Sequence, residues 1–303
     1  MTAQLGSDVE GRTLASGRVK EAFLAYGFLL PSALVFAAFF FYPLGRLVWF
    51  SLNRQDRFGR GLTYEGFGQW GDVLSSTDFL DGLKHTLLFV LYTVPLGLVL
   101  GVLLAVAANR KIRGIKFFHT VFSSTIATSV AVASVVFVVL INPKVGYLAD
   151  TWVAQFFDLS DPDAALRGVA LSSVWQNLGL TFIIVLAGLQ AVPEELMEAA
   201  KLDGYNSVQR FFRITLPLIS PTLMFLVVVL VVFGFQAFAQ VELLTNGTPA
   251  GRTETLVFKI FTDSQDPAKL GPSSVMALGL FVLTVVVSAF QFIILSRRVH
   301  YGN

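Results

Sequence analysis

Six long apolar runs dominate the chain, near residues 24–50, 85–107, 118–141, 168–189, 222–243 and 275–295. About 20 apolar residues in a helix cross the roughly 30 Å of hydrocarbon in a bilayer. No water is present there to satisfy backbone N–H and C=O groups, so spans of this length must be α-helices with their peptide groups paired internally. Residues 226–233, Leu-Val-Val-Val-Leu-Val-Val-Phe, would suit a buried strand in water. The apolar sequence around them makes a helix the better reading. The first run carries Pro31 and Pro43, so a kinked or tilted helix is expected. It is too long for the apolar core of a secretory signal, and no small-residue cleavage site follows, so it reads as a retained anchor.

Composition narrows the function classes. The chain is 54% hydrophobic and 14% charged, outside the range of ordinary soluble domains. It has no cysteine, which excludes disulfides and thiol chemistry, and His85, His119 and His300 are too far apart to form a ligand spacing. No nucleophile–base pair is visible, so nothing supports an enzyme. The net charge of +2 includes no basic stripe with interleaved aromatics, so nucleic acid is not expected as a partner.

The placement of charge gives direction. Arg12, Arg18 and Lys20 precede the first span, and Arg110, Lys111, Arg113 and Lys116 follow the second. Lys201, Arg210 and Arg213 follow the fourth, and Arg297 and Arg298 follow the sixth. These segments alternate along the chain and so share one side, while Asp150, Asp158, Asp161 and Asp163 crowd a loop on the other. Basic loops face the cytoplasm, so both termini and the loop after span four are expected there.

Polar residues inside spans are costly and face a neighbouring helix or a cavity. Gln176 and Asn177 stand beside Trp175, and Gln236 and Gln240 lie one turn apart on span five. Amides bond hydroxyl groups and aromatic rings stack on sugar faces, so this set suits a polyol or sugar; bonding between helices is the plainer alternative. Gly97, Gly101 and Ala105 make a small-residue face on span two, read as a packing seam. Arg46, Lys84, His85 and Arg167 fall towards the outer side, where they either attract a phosphorylated solute or snorkel to lipid headgroups.

The loop between spans four and five, residues 190–221, is unusually ordered for a connector. Glu194, Glu195 and Glu198 follow Pro193, as suits the first turns of a helix. Gly204 breaks that helix, Ser207 is placed to cap a second one, and Phe211, Phe212, Ile214 and Leu216 give the second an apolar face before Pro217 and Pro221. An interfacial helix lying on lipid is the bland alternative, disfavoured because anionic headgroups repel its acidic turns.

This loop resembles the EAA loop of ABC importer permeases. Glu198-Ala199-Ala200, three residues, Gly204, nine residues, Ile214, one residue and Leu216-Pro217 match its consensus with spacing intact. Leu30-Pro31, Tyr42-Pro43, Ser51-Leu52, Gln190, Pro193 to Leu196, Asp203-Gly204 and Leu244 to Pro249 extend the similarity over about residues 24–295. They resemble the carbohydrate-type branch, which takes up sugars or glycerol phosphates, and its first of two permeases in particular. His85, Ser123-Ser124, Tyr205, Ala239-Gln240 and Thr248 depart from the branch's usual residues.

The resemblance implies an all-α membrane protein: a 1–23 cytoplasmic tail, a 24–295 domain of six transmembrane helices of the type I importer permease kind, and a 296–303 cytoplasmic tail. It implies a bacterial inner-membrane permease subunit, with no catalytic or metal-binding residue of its own. The implied partners are membrane lipid, a second permease, two cytoplasmic ATPase subunits that hold ATP and magnesium, and an extracytoplasmic solute-binding protein. Contact with the ATPase is expected at Glu195, Glu198, Ala199, Ala200, Asp203 and Gly204. The solute path is expected along Trp175, Gln176, Asn177, Gln236 and Gln240. The competing reading is a secondary transporter driven by an ion gradient. It would need intramembrane carboxylates, yet the central spans lack Asp and Glu and Glu242 is peripheral.

Overall fold

The computed structural model describes residues 21, 24–55, 61–110, 113–142, 146–148 and 151–296. Arg12, Arg18, Lys20, Lys111, Asp150, Arg297, Arg298 and His300, and nearly all of both expected tails, lie outside the described residues. The described chain is helical apart from its connections and one small ribbon. Four helices are long and apolar enough to span a bilayer, or up to six if each of two bent pairs is one span.

The first helix, α1, covers Leu24–Leu52 and opens into a wide turn at Ala37–Phe41. There the Tyr42 N–H bonds the Ala37 carbonyl, five residues back instead of four. A proline ring crowds the carbonyl four residues before it, and a wider turn ahead of Pro43 relieves that clash without losing the helix. The same solution recurs at Phe211–Thr215 ahead of Pro217. Only the later part of α1 packs within the chain; its apolar stretch is exposed. A short antiparallel ribbon of β1 (Asn53–Gln55) and β2 (Leu62–Tyr64) follows, which the apolar pattern did not foretell.

After α2 (Gly68–Leu74) comes α3, Thr77–Ala108, the longest helix. Ser76 caps it by accepting from the Phe79 N–H at 3.2 Å. It starts before the expected residue 85 because its first two turns are polar and project beyond the apolar run. The third span is not one helix. It is α4 (Ile115–Ser123), a tight turn at Ser124–Ala127, and α5 (Val130–Ile141), bent by 105°. The short α6 (Trp152–Phe156) leads to α7, Ala165–Gln190. Then come α8 (Glu194–Leu202) and α9 (Ser207–Leu218), the latter turning by 67° into α10 (Ser220–Phe235). The fifth span also stops earlier than expected: α10 ends at Phe235, and α11 restarts at Ala239–Leu244. α12 (Leu256–Ser264) and α13 (Leu270–Ser296) complete the chain.

Helices in lipid gain little from hiding apolar area from each other, so close backbone approach has to hold them together. The most extensive contact joins α3 to α7. A Cβ on Gly101 would overlap the Thr181 side chain, and Ala105 is fully buried beside Phe182 and Val185. Gly97 departs from the expected seam: a Cβ there meets nothing within 4 Å, because it opens onto a cavity. Gly101→Val should therefore wedge α3 from α7 and destabilise the fold by about 1–3 kcal/mol. Thermal unfolding in detergent micelles should show a lower midpoint for Gly101→Val and little change for Gly97→Ala.

Candidate functional site

Helix α3 serves as a ruler, because three recesses lie along it. The middle one is a cavity of about 470 Å³ against Phe89, Thr93 and Gly97, one face of α3 at four-residue spacing. Helix α7 contributes Ser173, Gln176 and Asn177, which share its facing side. The end of α10 contributes Gln236, and the first turn of α11 contributes Gln240. Four of the five residues expected on a solute path thus meet in one space. The fifth, Trp175, does not line it; its ring packs on Phe137 with centroids 5.9 Å apart. Phe89, Phe233 and Phe238 supply the aromatic walls instead.

The amides form a relay. Gln240 Nε2 donates to Gln176 Oε1 at 3.2 Å, and Gln176 Nε2 donates to the Thr128 carbonyl at 3.4 Å. Asn177 Nδ2 donates to the Ser173 carbonyl at 2.9 Å. Gln236 is exposed to the cavity, and the Ser173 hydroxyl is buried with no partner among the described residues. The exposed Gln236 amide and the remaining donors and acceptors of the relay can take a polar guest. The lining named in the described residues includes no Asp, Glu, Lys or Arg, so this wall is neutral.

The cavity exists because two helices are interrupted there. Unpaired backbone is tolerated at membrane depth only where protein or a cavity covers it. The Thr128 carbonyl, in the gap between α4 and α5, is taken by Gln176, and Thr125 Oγ1 accepts from the Gly179 N–H at 2.9 Å. Beyond α10, the Ala237 carbonyl is taken by Thr255 Oγ1 at 2.7 Å. Gln236 and Gln240 therefore lie on either side of a break and not one turn apart on a continuous span, yet both still face the cavity. Thr93, Ser173 and Phe89 were not foreseen. The Phe89–Thr93–Gly97 spacing was present in the sequence, but of the three only Gly97 was singled out, as part of the Gly97–Gly101–Ala105 packing seam.

The second recess, about 400 Å³, lies past the last turn of α3, lined by Arg110, His119, Gln190, Glu194 and Met197. Its roof is α8. Pro193 caps this helix, Glu194 and Glu195 occupy its first turn and Lys201 its last, in accord with the helix dipole. Glu195, Glu198 and Ala199 point outward, while Ala200 is 2% exposed and faces the chain. Asp203 and Gly204 are exposed at the elbow. Gly204 has φ +80°, a conformation that costs other residues about 1–2 kcal/mol. The turn is closed by Tyr205 N–H to the Ala200 carbonyl at 3.0 Å.

The cap of α9 is Asn206, not Ser207. Asn206 Oδ1 accepts from the Gln209 N–H at 2.8 Å, and Gln209 Oε1 accepts from the Asn206 N–H at 2.9 Å. Ser207 Oγ instead accepts from Arg210 at 3.2 Å, and Arg210 also donates to the Tyr205 carbonyl at 2.8 Å. The elbow is therefore stiff. It also bares apolar side chains that the spacing argument passed over: Leu202 is 89% exposed at its tip, with Leu196, Val208 and Phe212 nearby in sequence.

The third recess, about 380 Å³, sits at the opposite end of α3, lined by Asp78, Asp81, Lys84, His85, Arg252 and Glu254 among others. The four expected outer cations do not gather. Lys84 and His85 line this recess, but Arg46 stacks on Phe50 at 4.9 Å and Arg167 stacks on Phe156 at 4.6 Å.

Comparisons with known proteins agree with this architecture. The family described as binding-protein-dependent transport system inner membrane component matches residues 97–300. The sn-glycerol-3-phosphate transport system permease protein UgpA of Agrobacterium fabrum is 35% identical over 92% of this chain and 97% of its own length. The protein of the same name from Pectobacterium atrosepticum is 30% identical over 93% and 97%. A chain of a bacterial alginate ABC transporter, solved with an alginate pentasaccharide-bound periplasmic protein, superposes with a TM-score of 0.77 at 23% identity. That superposition covers 91% of this chain and 94% of the other. This chain belongs to the inner membrane components of binding-protein-dependent transport systems, and is a multi-pass permease subunit of an ABC importer, a transport component and not an enzyme.

Proposed function

We propose that this permease forms half of the pathway for a sugar or glycerol-phosphate-type solute, and that the amide cavity is its contribution to that pathway. The observation that carries this reading is the convergence of Gln176, Asn177, Gln236 and Gln240 on one neutral cavity at two helix breaks. Amide groups, the orphan Ser173 hydroxyl and phenyl walls suit the hydroxyl-bearing part of a solute. Relatives named for sn-glycerol-3-phosphate support the glycerol-phosphate end of this class. Because the cavity wall is neutral, this chain would hold the polyol portion and leave any phosphate to other groups.

The coupling reading follows from the ruler. From Thr93 to Ala108, α3 advances about 22 Å, which carries the chain from the cavity to the recess under α8. Helix α8 and its elbow would sit in the cleft of a cytoplasmic ATPase, with Glu195, Glu198, Ala199 and Asp203 outermost and Leu202 inserted as an apolar tip. Ala200 and Gly204 would set the shape of the elbow. Closure of two ATPase subunits on ATP and magnesium would then bias the spans between inward- and outward-facing arrangements, a population shift set by differential contacts in the two states. The full assembly would comprise this chain, a second permease, two ATPase subunits and a solute-binding protein, with both termini of this chain cytoplasmic. The basic residues Arg110, Arg113, Lys201, Arg210 and Arg213 support that orientation.

In proteoliposomes holding the complete complex, Gln176→Ala combined with Gln240→Ala should cut maximal uptake about tenfold, the loss of two neutral hydrogen bonds of about 0.5–1.5 kcal/mol each. Comparing labelled glycerol 3-phosphate with a labelled disaccharide would identify the solute, and undiminished uptake of both would remove the cavity from the pathway. Glu198→Lys and Gly204→Pro should insert normally but lose solute-stimulated ATP hydrolysis about tenfold or more. The first reverses an outward charge; the second imposes φ near −65° where +80° is required. Stimulation equal to that of the unmodified complex would reject the coupling role.

A further inference from the structure

A further recess, about 360 Å³, lies away from α3, between α1 and the last two helices. Its apolar walls are Leu47 and Phe50 of α1, Ile260 of α12 and Leu270 of α13, and Tyr42 and Arg46 stand at its polar side. The first turn of α13 lies against the end of α1, where a Cβ on Gly271 would meet the Phe50 and Asn53 carbonyl oxygens, so the two helices cross the bilayer in opposite directions. Helix α1 has 29 residues and spans about 43 Å, of which the hydrocarbon takes about 30 Å. About 7 Å at each end then lies among headgroups. Arg46 is about 9 Å along the axis from the last residue, Leu52, so it sits where headgroups give way to acyl chains.

Arg46 has no counter-charge there. Among the described residues it makes no ion pair, and the lining of the recess includes no Asp or Glu. Its guanidinium stacks on Phe50 at 4.9 Å, and Nη1 donates to the Tyr42 hydroxyl oxygen at 3.4 Å. Tyr42 accepts that bond and so keeps its own proton to donate, and most of the guanidinium N–H groups remain free as well. Deeper in the bilayer both walls continue as bare apolar surface. Phe39, one turn before Pro43, is 80% exposed, and Phe281, two turns after Ser274, is 51% exposed. The site therefore offers donors at headgroup depth and an apolar trough beneath them. A soluble anion gains nothing from the trough, and a partner helix rarely brings a carboxylate to this depth. A phospholipid supplies both parts, and a second cation in its headgroup would find no carboxylate in the lining.

We propose that this recess is a phospholipid site, in which Arg46 and the Tyr42 hydroxyl hold the phosphodiester of an anionic glycerophospholipid such as phosphatidylglycerol, with its acyl chains along α1 and α13. The lipid staples α1, whose apolar stretch is otherwise exposed, to the end of the bundle. Only the choice of leaflet, the outer one, rests on cytoplasmic termini; the site itself depends neither on the solute nor on the ATPase contact.

The test uses the purified complete complex, stripped of lipid in detergent, and follows its thermal unfolding midpoint as phosphatidylglycerol is titrated into the micelles. The midpoint of the unmodified complex should rise. Arg46→Gln should raise the half-saturating lipid fraction about tenfold, the loss of a charge-assisted contact. Tyr42→Phe, which removes one oxygen and cannot misfold the helix by changing charge, should raise it about threefold. Arg167 is the internal control: it too stacks on a ring, but its Nε donates to the Phe156 carbonyl at 3.2 Å and it does not line this recess. Arg167→Gln should leave half-saturation within about twofold. Native mass spectrometry should find fewer phosphatidylglycerol molecules retained on the Arg46→Gln complex than on the unmodified one. An unmodified complex that the lipid does not protect overturns the site, as does half-saturation unchanged by both Arg46→Gln and Tyr42→Phe. Inorganic phosphate protecting as well as the lipid overturns it in favour of a soluble anion. A photocrosslinker at Leu47 that captures the second permease and no lipid overturns it in favour of a protein contact.

Discussion

The need to pair every backbone polar group away from water governs this structure. Most of the chain meets it by staying helical through the apolar runs. Even the prolines at 43 and 217 are absorbed by wide turns that keep a bonded ladder ahead of each ring. At two places the ladder stops in mid-span, after Ala127 and after Phe235. In each case a side chain from another element takes the freed carbonyl, Gln176 at Thr128 and Thr255 at Ala237. The cavity between these breaks follows directly. Irregular backbone supplies its walls, and Gln176, which takes one of the freed carbonyls, lines it.

The same bonds tie the three recesses together. Helix α3 is continuous from the charged recess at its start, past the cavity, to the recess under α8. It is locked to α7 by the close approach at Gly101 and Thr181 and to the start of α12 by the Thr86–Leu256 hydrogen bond. Helix α3 carries Pro95 in its interior and still borders all three recesses without a break. The 105° and 67° bends are where the interrupted spans beside it depart from straight helices.

Much of the 190–221 loop was legible because its information is local. The acidic start, the small residues, the glycine and the apolar second helix are set by positions a few residues apart, and the structure places Gly204, expected to break the first helix, at positive φ. The cap moved by one residue because Asn206 and Gln209 form a reciprocal pair that outcompetes Ser207. Trp175 was misjudged for a different reason. It adjoins Gln176 in sequence, but neighbours on a helix point about 100° apart, so the ring turned to Phe137 while the amide faced the cavity.

By itself the sequence determined that this chain is a bundle of membrane helices with a charged elbow, because hydropathy, charge alternation and short-range spacing are properties of consecutive residues. Only the tertiary structure decided where the spans break, which small residue packs and which opens, and which polar groups converge. Gly97 and Gly101 have the same spacing and the same side chain, yet one borders a cavity and the other touches Thr181. That difference depends on the partner helix across the gap, and no pattern along α3 alone can express it.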